Sequence, residues 1–164
     1  MTITRIIATA ALSLPLISFA APTDDLGHQA QAATLGGLGG AWSGGGKLRL
    51  SSGKAERLRC RAYYNPKSGG KRLGMAIRCA STSYKIELRS RLQVRGSRVS
   101  GSWEERNFNA TGTVSGSSRP GQLTLSTSGS VNAKLFISYG ARRQNVRITG
   151  DLGSFRGMTL VLRK

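Results

Sequence analysis

The chain has 164 residues and a one-sided charge, since 25 Lys and Arg stand against 7 Asp and Glu, a formal net charge of +18 at pH 7. It contains two cysteines and a single histidine, His28, which lies outside the strand-like part of the sequence. A zinc site needs more Cys and His ligands at closer spacing, and a catalytic Ser or Cys needs a base beside it. We therefore expect no metal site, no cofactor and no enzymatic activity.

The first 20 residues predict a signal peptide. A positive charge at Arg5 precedes an apolar run over 6–20 that Pro15 interrupts, and Ser18 and Ala20 form a small-x-small cleavage site. A membrane-spanning helix needs about 20 apolar residues, so this run is too short for one, although a retained membrane tether is the alternative. Cleavage after Ala20 would give a periplasmic or secreted protein with no transmembrane span and a formal charge of 24 − 7 = +17.

The remaining sequence divides into a linker and a β-rich part. Residues 21–40 are rich in Ala, Gly and Gln and offer little bulk to bury, which predicts a flexible linker. From Trp42 onward, short alternating runs are separated by Gly, Ser and Asn at intervals of about 10 residues, a pattern typical of an all-β sandwich or barrel. We therefore predict one β-domain over 41–164, a length that supports a single core.

The two cysteines fall within a predicted hairpin that joins residues 56–64 to Arg72–Ala80. If Cys60 faces Cys79, the side chains that share their face of the sheet are consistently apolar. In an oxidising compartment, two cysteines without other partners pair more often than they remain thiols. The sequence therefore predicts a Cys60–Cys79 disulfide.

A second hairpin joins residues 84–95 to 98–106 through a tight turn at Gly96, and its register places Val94 opposite Val99. With the other predicted strands, it completes a meander of about ten. Closure of such a meander removes exposed sheet edges, so we predict an antiparallel up-and-down β-barrel of about 8–10 strands, with a two-sheet β-sandwich as the alternative. The other strands are predicted at residues 42–50, 110–116, 122–128, 131–139, 143–149 and Phe155–Arg163.

Two resemblances support this fold. Gly40, Ala41 and Trp42 resemble the Gly-x-Trp start of lipocalin-like (calycin) barrels, which implies a late arginine over the tryptophan, and Arg163 matches that arginine by position. A wider pattern is formed by Trp42-Ser43-Gly44, Arg59-Cys60-Arg61, Ile77-Arg78-Cys79-Ala80-Ser81 and Gly101-Ser102-Trp103-Glu104. It is similar to small exported β-barrel proteins of alphaproteobacteria whose function is uncharacterised. That resemblance implies compartment and fold, and it carries over no functional residue.

Strand alternation places most cationic side chains of the two hairpins on one outer face, diluted only by Glu87 and Glu104. Arginine dominates over lysine there, which favours bidentate recognition of oxyanions. We therefore predict a non-enzymatic periplasmic protein that binds an anionic envelope component, such as lipopolysaccharide, an anionic lipid headgroup or an acidic polysaccharide. The candidate anion-binding residues are Arg57, Arg59, Arg61, Arg78, Lys85, Arg89 and Arg91, with Arg72, Arg95 and Arg98 on the same face.

Several alternatives remain open at this point. A basic face also keeps sheets from aggregating without binding anything. Only Tyr63 stands among the arginines as a stacking platform, so we do not expect specific nucleic-acid binding. A transmembrane barrel would carry more aromatic residues than the 6% present here. Glu104 and Glu105 must point to opposite faces of a strand, so they cannot act as a catalytic pair.

Two further alternatives are a lipocalin-like carrier of a small apolar ligand and an inhibitor of an envelope hydrolase. The inhibitor would present loops such as 65–71 or 142–144, which nothing in the sequence selects. The carrier requires an unfilled barrel, whereas the predicted inward-facing residues are enough to pack the interior. Those residues are Leu88, Leu92, Val94, Trp103, Leu135, Ile137, Val146, Ile148, Leu160 and Leu162.

Overall fold

Ten antiparallel strands close into a barrel in the computed structural model, which describes residues 35–164 and, at positions 151 and 152, the backbone alone. Each strand pairs with its neighbours in sequence and β1 pairs with β10, which confirms the up-and-down barrel and excludes the sandwich. The strands are β1 (Gly40–Leu50), β2 (Ala55–Lys67), β3 (Arg72–Ala80), β4 (Lys85–Arg95), β5 (Arg98–Glu105), β6 (Ala110–Arg119), β7 (Gln122–Gly129), β8 (Asn132–Tyr139), β9 (Arg143–Leu152) and β10 (Phe155–Arg163).

The predicted signal peptide and positions 21–34 of the predicted linker lie outside the described residues. Within residues 35–164, no helix has the length and apolar character needed to cross a membrane.

Both predicted hairpins have the predicted register. Cys60 pairs with Cys79 and Val94 pairs with Val99, as the alternation of apolar residues requires. The two cysteines form a disulfide with an S–S distance of 2.02 Å, and both side chains are buried on the inner face of the barrel. The bond therefore joins β2 to β3 at a fixed register.

A 3₁₀ turn, Leu35–Leu38, closes the end of the barrel at which β1 begins; we refer to this end as the capped end. Leu35 and Leu38 are completely buried, and the Leu35 N–H donates a hydrogen bond to the Gly70 carbonyl in the β2–β3 loop, at 3.1 Å. The turn falls within the range 21–40 that the sequence predicts to be a flexible linker. Its last residues are instead part of the barrel, because two leucines three positions apart bury against the strand ends.

Trp42 lies at the capped end and is buried. Its indole Nε1 donates to the Leu38 carbonyl at 2.7 Å, and the Lys164 ammonium lies 4.9 Å from the ring centroid, within cation–π range. The expected arginine is not there. Arg163 aligns with Ser43 and is exposed, so the cation over Trp42 comes from the next residue in the chain.

Tyr64 and Gln144 form a buried polar contact at the same end. The Tyr64 hydroxyl donates to Gln144 Oε1 at 2.9 Å, and burial raises the pKa of the Tyr64 phenol well above its ordinary value. The phenol therefore stays protonated and keeps donating its hydrogen bond. The Tyr64 hydroxyl is thus held by the fold, whereas Gln144 Nε2 has no hydrogen-bond partner among the described residues.

The seam between β1 and β10 leaves no room for side chains at two glycines of β1. A Cβ atom on Gly46 would overlap the Thr159 carbonyl oxygen, and one on Gly44 would overlap the Val161 carbonyl oxygen. Glycine is required at both positions because the neighbouring backbone occupies the space of a side chain. Gly44 and Gly46 therefore serve barrel closure, whereas a Cβ atom on Gly45 would overlap the Leu58 carbonyl oxygen of β2.

The disulfide should contribute a large part of the stability. Replacing both Cys60 and Cys79 by Ala should lower the free energy of unfolding by about 3 kcal/mol, because the unfolded chain is no longer constrained by a closed loop. Urea denaturation followed by tryptophan fluorescence measures this loss. Reduced wild-type protein is the control and should lose a similar amount, whereas an unchanged midpoint in both would contradict the prediction.

Candidate ligand cavity and basic face

The end of the barrel opposite the 3₁₀ turn, the open end, contains a cavity of about 370 Å³ with a largely apolar lining. Its walls include the inward-facing Leu88, Leu135 and Ile148, three residues that the sequence predicts to fill the interior. Ala110 and Ala133 also face inward here, and their small side chains leave space that larger ones would occupy. The prediction of a fully packed barrel is therefore wrong at this end.

Three aromatic rings border the mouth of the cavity. The rings of Tyr84 and Phe155 meet edge to face with centroids 4.6 Å apart, and those of Phe108 and Phe155 do so at 5.6 Å. Phe108 lies in the β5–β6 loop and is 49% exposed, which is unusual for so large an apolar side chain. Edge-to-face pairing favours this arrangement and leaves apolar ring surface facing the cavity entrance.

Glu105 is a buried carboxylate that fixes the loop carrying Phe108. Its Oε2 accepts a hydrogen bond from the Phe108 N–H at 2.6 Å, and its Oε1 accepts from the Glu87 N–H at 2.6 Å and from Asn107 Nδ2 at 3.3 Å. Three donors satisfy the carboxylate, so its role is to hold the rim. Glu104 is exposed on the other face of β5, which confirms that the two acids cannot act as a pair.

Trp103 lies between the cavity and the barrel wall. Its side chain is 8% exposed, and its indole Nε1 has no acceptor among the described residues. A Cβ atom on the paired residue Gly112 would lie 2.7 Å from that nitrogen, so the ring requires glycine beneath it. Trp103 therefore supplies apolar surface to the cavity at the open end of the barrel. Trp42 lies at the capped end.

The seven predicted anion-binding residues all belong to β2, β3 and β4 and face the outside of the barrel; we call this surface the basic face. Strand pairing brings them together, for example in the row formed by Arg61, Arg78 and Glu87. The register thus confirms the placement that alternation predicts.

Glu87 neutralises one part of the basic face. Its Oε1 contacts Arg89 at 2.7 Å, Arg78 at 3.4 Å and Arg106 at 3.5 Å. The hydrogen bond from Arg89 is the main reason that the pKa of Glu87 lies below its ordinary value, with the nearby Arg78 charge adding to the effect. Within residues 35–164, the other predicted anion-binding residues form no salt bridge; they are Arg57, Arg59, Arg61, Lys85 and Arg91.

The hydrogen bonds of Glu105 lead to a prediction about the stability of the fold. The preceding residue, Glu104, provides the control. Glu105→Ala should lower the free energy of unfolding by about 2–3 kcal/mol, because two backbone N–H groups lose a charged acceptor. Glu104→Ala should change it by no more than about 0.5 kcal/mol, since Glu104 is exposed. Urea denaturation compares the two, and hydrogen exchange should show faster opening at Phe108 in Glu105→Ala alone. Equal stability of both variants would contradict this role.

No protein-family model matches the sequence, and none of the curated proteins does. Two solved structures have a similar fold. Rv2717c from M. tuberculosis aligns over 79% of this chain and 94% of its own, with a TM-score of 0.63 and 14% identity. The S-type phycobiliprotein lyase CPES from Guillardia theta aligns over 77% and 86%, with a TM-score of 0.52 and 11% identity. Both are β-barrels of the calycin-like kind, and this chain shares their fold.

Proposed function

We propose that this protein is an exported, non-enzymatic binding protein that carries a small apolar ligand in the cavity at the open end of the barrel. One observation carries the proposal, namely an apolar cavity of about 370 Å³ at one end of a barrel whose other end is closed by Leu35 and Leu38. Ligand sites typically measure about 300–1,000 Å³ and occur in the mouths of β-barrels. The calycin-like fold supports the same interpretation, because barrels of this kind have room for one small ligand.

The chemistry of the lining indicates the ligand class. Apolar side chains dominate the described part of the walls, and the carboxylate of Glu105 there already accepts three hydrogen bonds. A charged ligand would lose its hydration there without finding an oppositely charged partner other than Glu105 among the described lining residues. The rings of Tyr84, Phe108 and Phe155 at the mouth favour an uncharged ligand that contains an aromatic or other flat apolar group.

Export is part of this proposal. The Cys60–Cys79 disulfide supports an oxidising compartment, because disulfides are rare where thiols are kept reduced. The predicted signal peptide over 1–20 is consistent with the same compartment.

The cavity is tested with N-phenyl-1-naphthylamine, an uncharged apolar fluorophore. Wild-type protein should bind it with enhanced probe fluorescence and with energy transfer from Trp103. Ala133→Phe should weaken binding at least about tenfold, because the new ring fills the cavity and removes apolar area from reach of the probe. Fluorescence titration measures both effects.

The matched control is Ala80→Phe, which adds the same ring on the outer face of β3, where Ala80 is exposed. This variant should bind the probe as wild-type protein does. Equal binding by the Ala133 and Ala80 variants, or no binding by wild-type protein, would contradict the proposal.

A second candidate function is binding of an anionic envelope component by the basic face. The observation in its favour is the concentration of cationic side chains on adjacent strands, most of them without a salt bridge within the described residues. Unpaired guanidinium groups attract anions and form bidentate hydrogen bonds with phosphate or carboxylate.

This second function is tested by replacing Arg59, Arg61, Arg89 and Arg91 together by Gln. The fold should persist because all four side chains lie on the outer wall, and retention on immobilised lipopolysaccharide should fall about tenfold or more. The control removes the same charge elsewhere on the barrel by replacing Lys134, Arg119, Arg143 and Arg147 by Gln. Equal loss in both variants would show that net charge alone governs retention and would remove the basic face from the argument.

A further inference from the structure

A groove of about 630 Å³ crosses the outer wall of the barrel over strands β2 to β6. Strand pairing places its side chains in two neighbouring rows that run across the sheet. The groove spans the intervals between five neighbouring strands, each about 4.8 Å, and is therefore about 19 Å long. One row is Tyr63, Ala76, Arg89, Glu104 and Thr111, and the other is Asn65, Gly74, Arg91 and Ser102.

The floor of the groove lies on β3, where the two residues that face the groove, Gly74 and Ala76, are small. Folding does not require the glycine. A Cβ atom on Gly74 would come no closer than 3.9 Å to any other atom, in contrast to Gly46, where it would overlap backbone. Glycine in a strand weakens it, so an unneeded glycine at this position favours a close approach from outside. The recess at Gly74 is therefore open to an approaching ligand.

Tyr63 stands at one end of the groove and is 58% exposed, the largest exposed fraction among the big apolar side chains of residues 35–164. Its register partner is Ala76, whose small side chain leaves the tyrosine ring accessible from the groove. An exposed aromatic ring beside a recess offers a flat apolar surface with a polar hydroxyl at its tip. Such a surface suits a ring-shaped group of the ligand.

The remaining groups of the groove combine charge with uncharged polarity. Arg91 has no salt bridge among the described residues, whereas Arg89 is shared with Glu87. Asn65, Ser102 and Thr111 offer amide and hydroxyl groups, and Glu104 offers an acceptor for hydroxyl donors. A ligand with many hydroxyl groups and an occasional carboxylate matches this set.

We propose that the groove binds an acidic polysaccharide, with a sugar ring against Tyr63, a carboxylate on Arg91 and hydroxyl groups on the polar side chains between them. This inference deepens the second candidate function and rests on it. The recess favours a chain over a bilayer, because a flat surface does not reach the floor at Gly74. Glu104 and the single aromatic ring disfavour single-stranded nucleic acid, which needs phosphate contacts and several stacking platforms.

The test uses short oligomers of galacturonic acid, titrated into the full mature protein by calorimetry. Tyr63→Thr removes the ring but leaves a residue with a high propensity for strands, and it should weaken binding about threefold to tenfold. Gly74→Leu keeps every charge and the ring but fills the recess, and it should weaken binding at least as much. Arg91→Gln should weaken binding more than its charge-matched control, Arg119→Gln, which lies away from the groove.

Thermal unfolding establishes that each variant is folded, and because Tyr63 and Gly74 are replaced in separate variants, misfolding of one leaves the other as a test. Binding that depends on Arg91 but is indifferent to Tyr63→Thr and Gly74→Leu would overturn the groove and leave the basic face as a general anion surface. No binding of the oligomers by wild-type protein would overturn the polysaccharide proposal, whereas the second candidate function is decided separately by retention on lipopolysaccharide. Tighter binding of single-stranded DNA or of anionic phospholipid vesicles, with the same sensitivity to Gly74→Leu, would replace the polysaccharide by that ligand.

Discussion

Closure of the sheet between β1 and β10 is the constraint on which the other features depend. The seam brings the two backbones so close that Gly44 and Gly46 have no room for side chains. Once the seam is closed, every strand has an inner and an outer face. Because side chains alternate along a strand, the position of a residue within its strand decides whether it faces the interior or the solvent. Glu104 and Glu105 illustrate this: one lies in the outer groove, and the next holds the rim of the inner cavity. The inner cavity and the outer groove therefore both depend on closure of the barrel.

The two ends of the barrel differ: the capped end contributes to stability, and the open end contains the candidate ligand cavity. At the capped end, Leu35, Leu38 and Trp42 are packed together and the Tyr64 hydroxyl is satisfied by Gln144. Such an end adds stability but offers no room for a ligand. The open end has unfilled apolar volume and exposed aromatic surface, which cost stability unless something occupies them. The basic outer wall is a third region, so the two proposed sites lie on opposite faces of the same sheet.

Period-2 alternation was sufficient to predict the strands, both hairpin registers and the disulfide, because those features depend only on which face a residue occupies. Alternation was not sufficient to predict the cavity. The cavity depends on the total volume of the side chains that strands far apart in the sequence place at the same height along the barrel axis. Ala110 and Ala133 are 23 positions apart, and their combined effect appears only after closure. The cap by Leu35 and Leu38 was missed for a similar reason, since two leucines among glycines show no periodicity. The groove requires the register of five strands at once.

The opposite roles of Glu104 and Glu105 also bear on how a chain of this kind is able to evolve. Insertion of one residue within β5 would exchange the two faces of everything that follows in the strand, placing Glu104 inside the barrel and Glu105 outside. The same insertion in any strand that carries the basic face would bury arginines against the core. Changes in length are therefore confined to the turns between strands, where an added residue does not exchange the two faces of a strand. The turns are the part of this barrel free to diverge in length, while the strands diverge only by substitution.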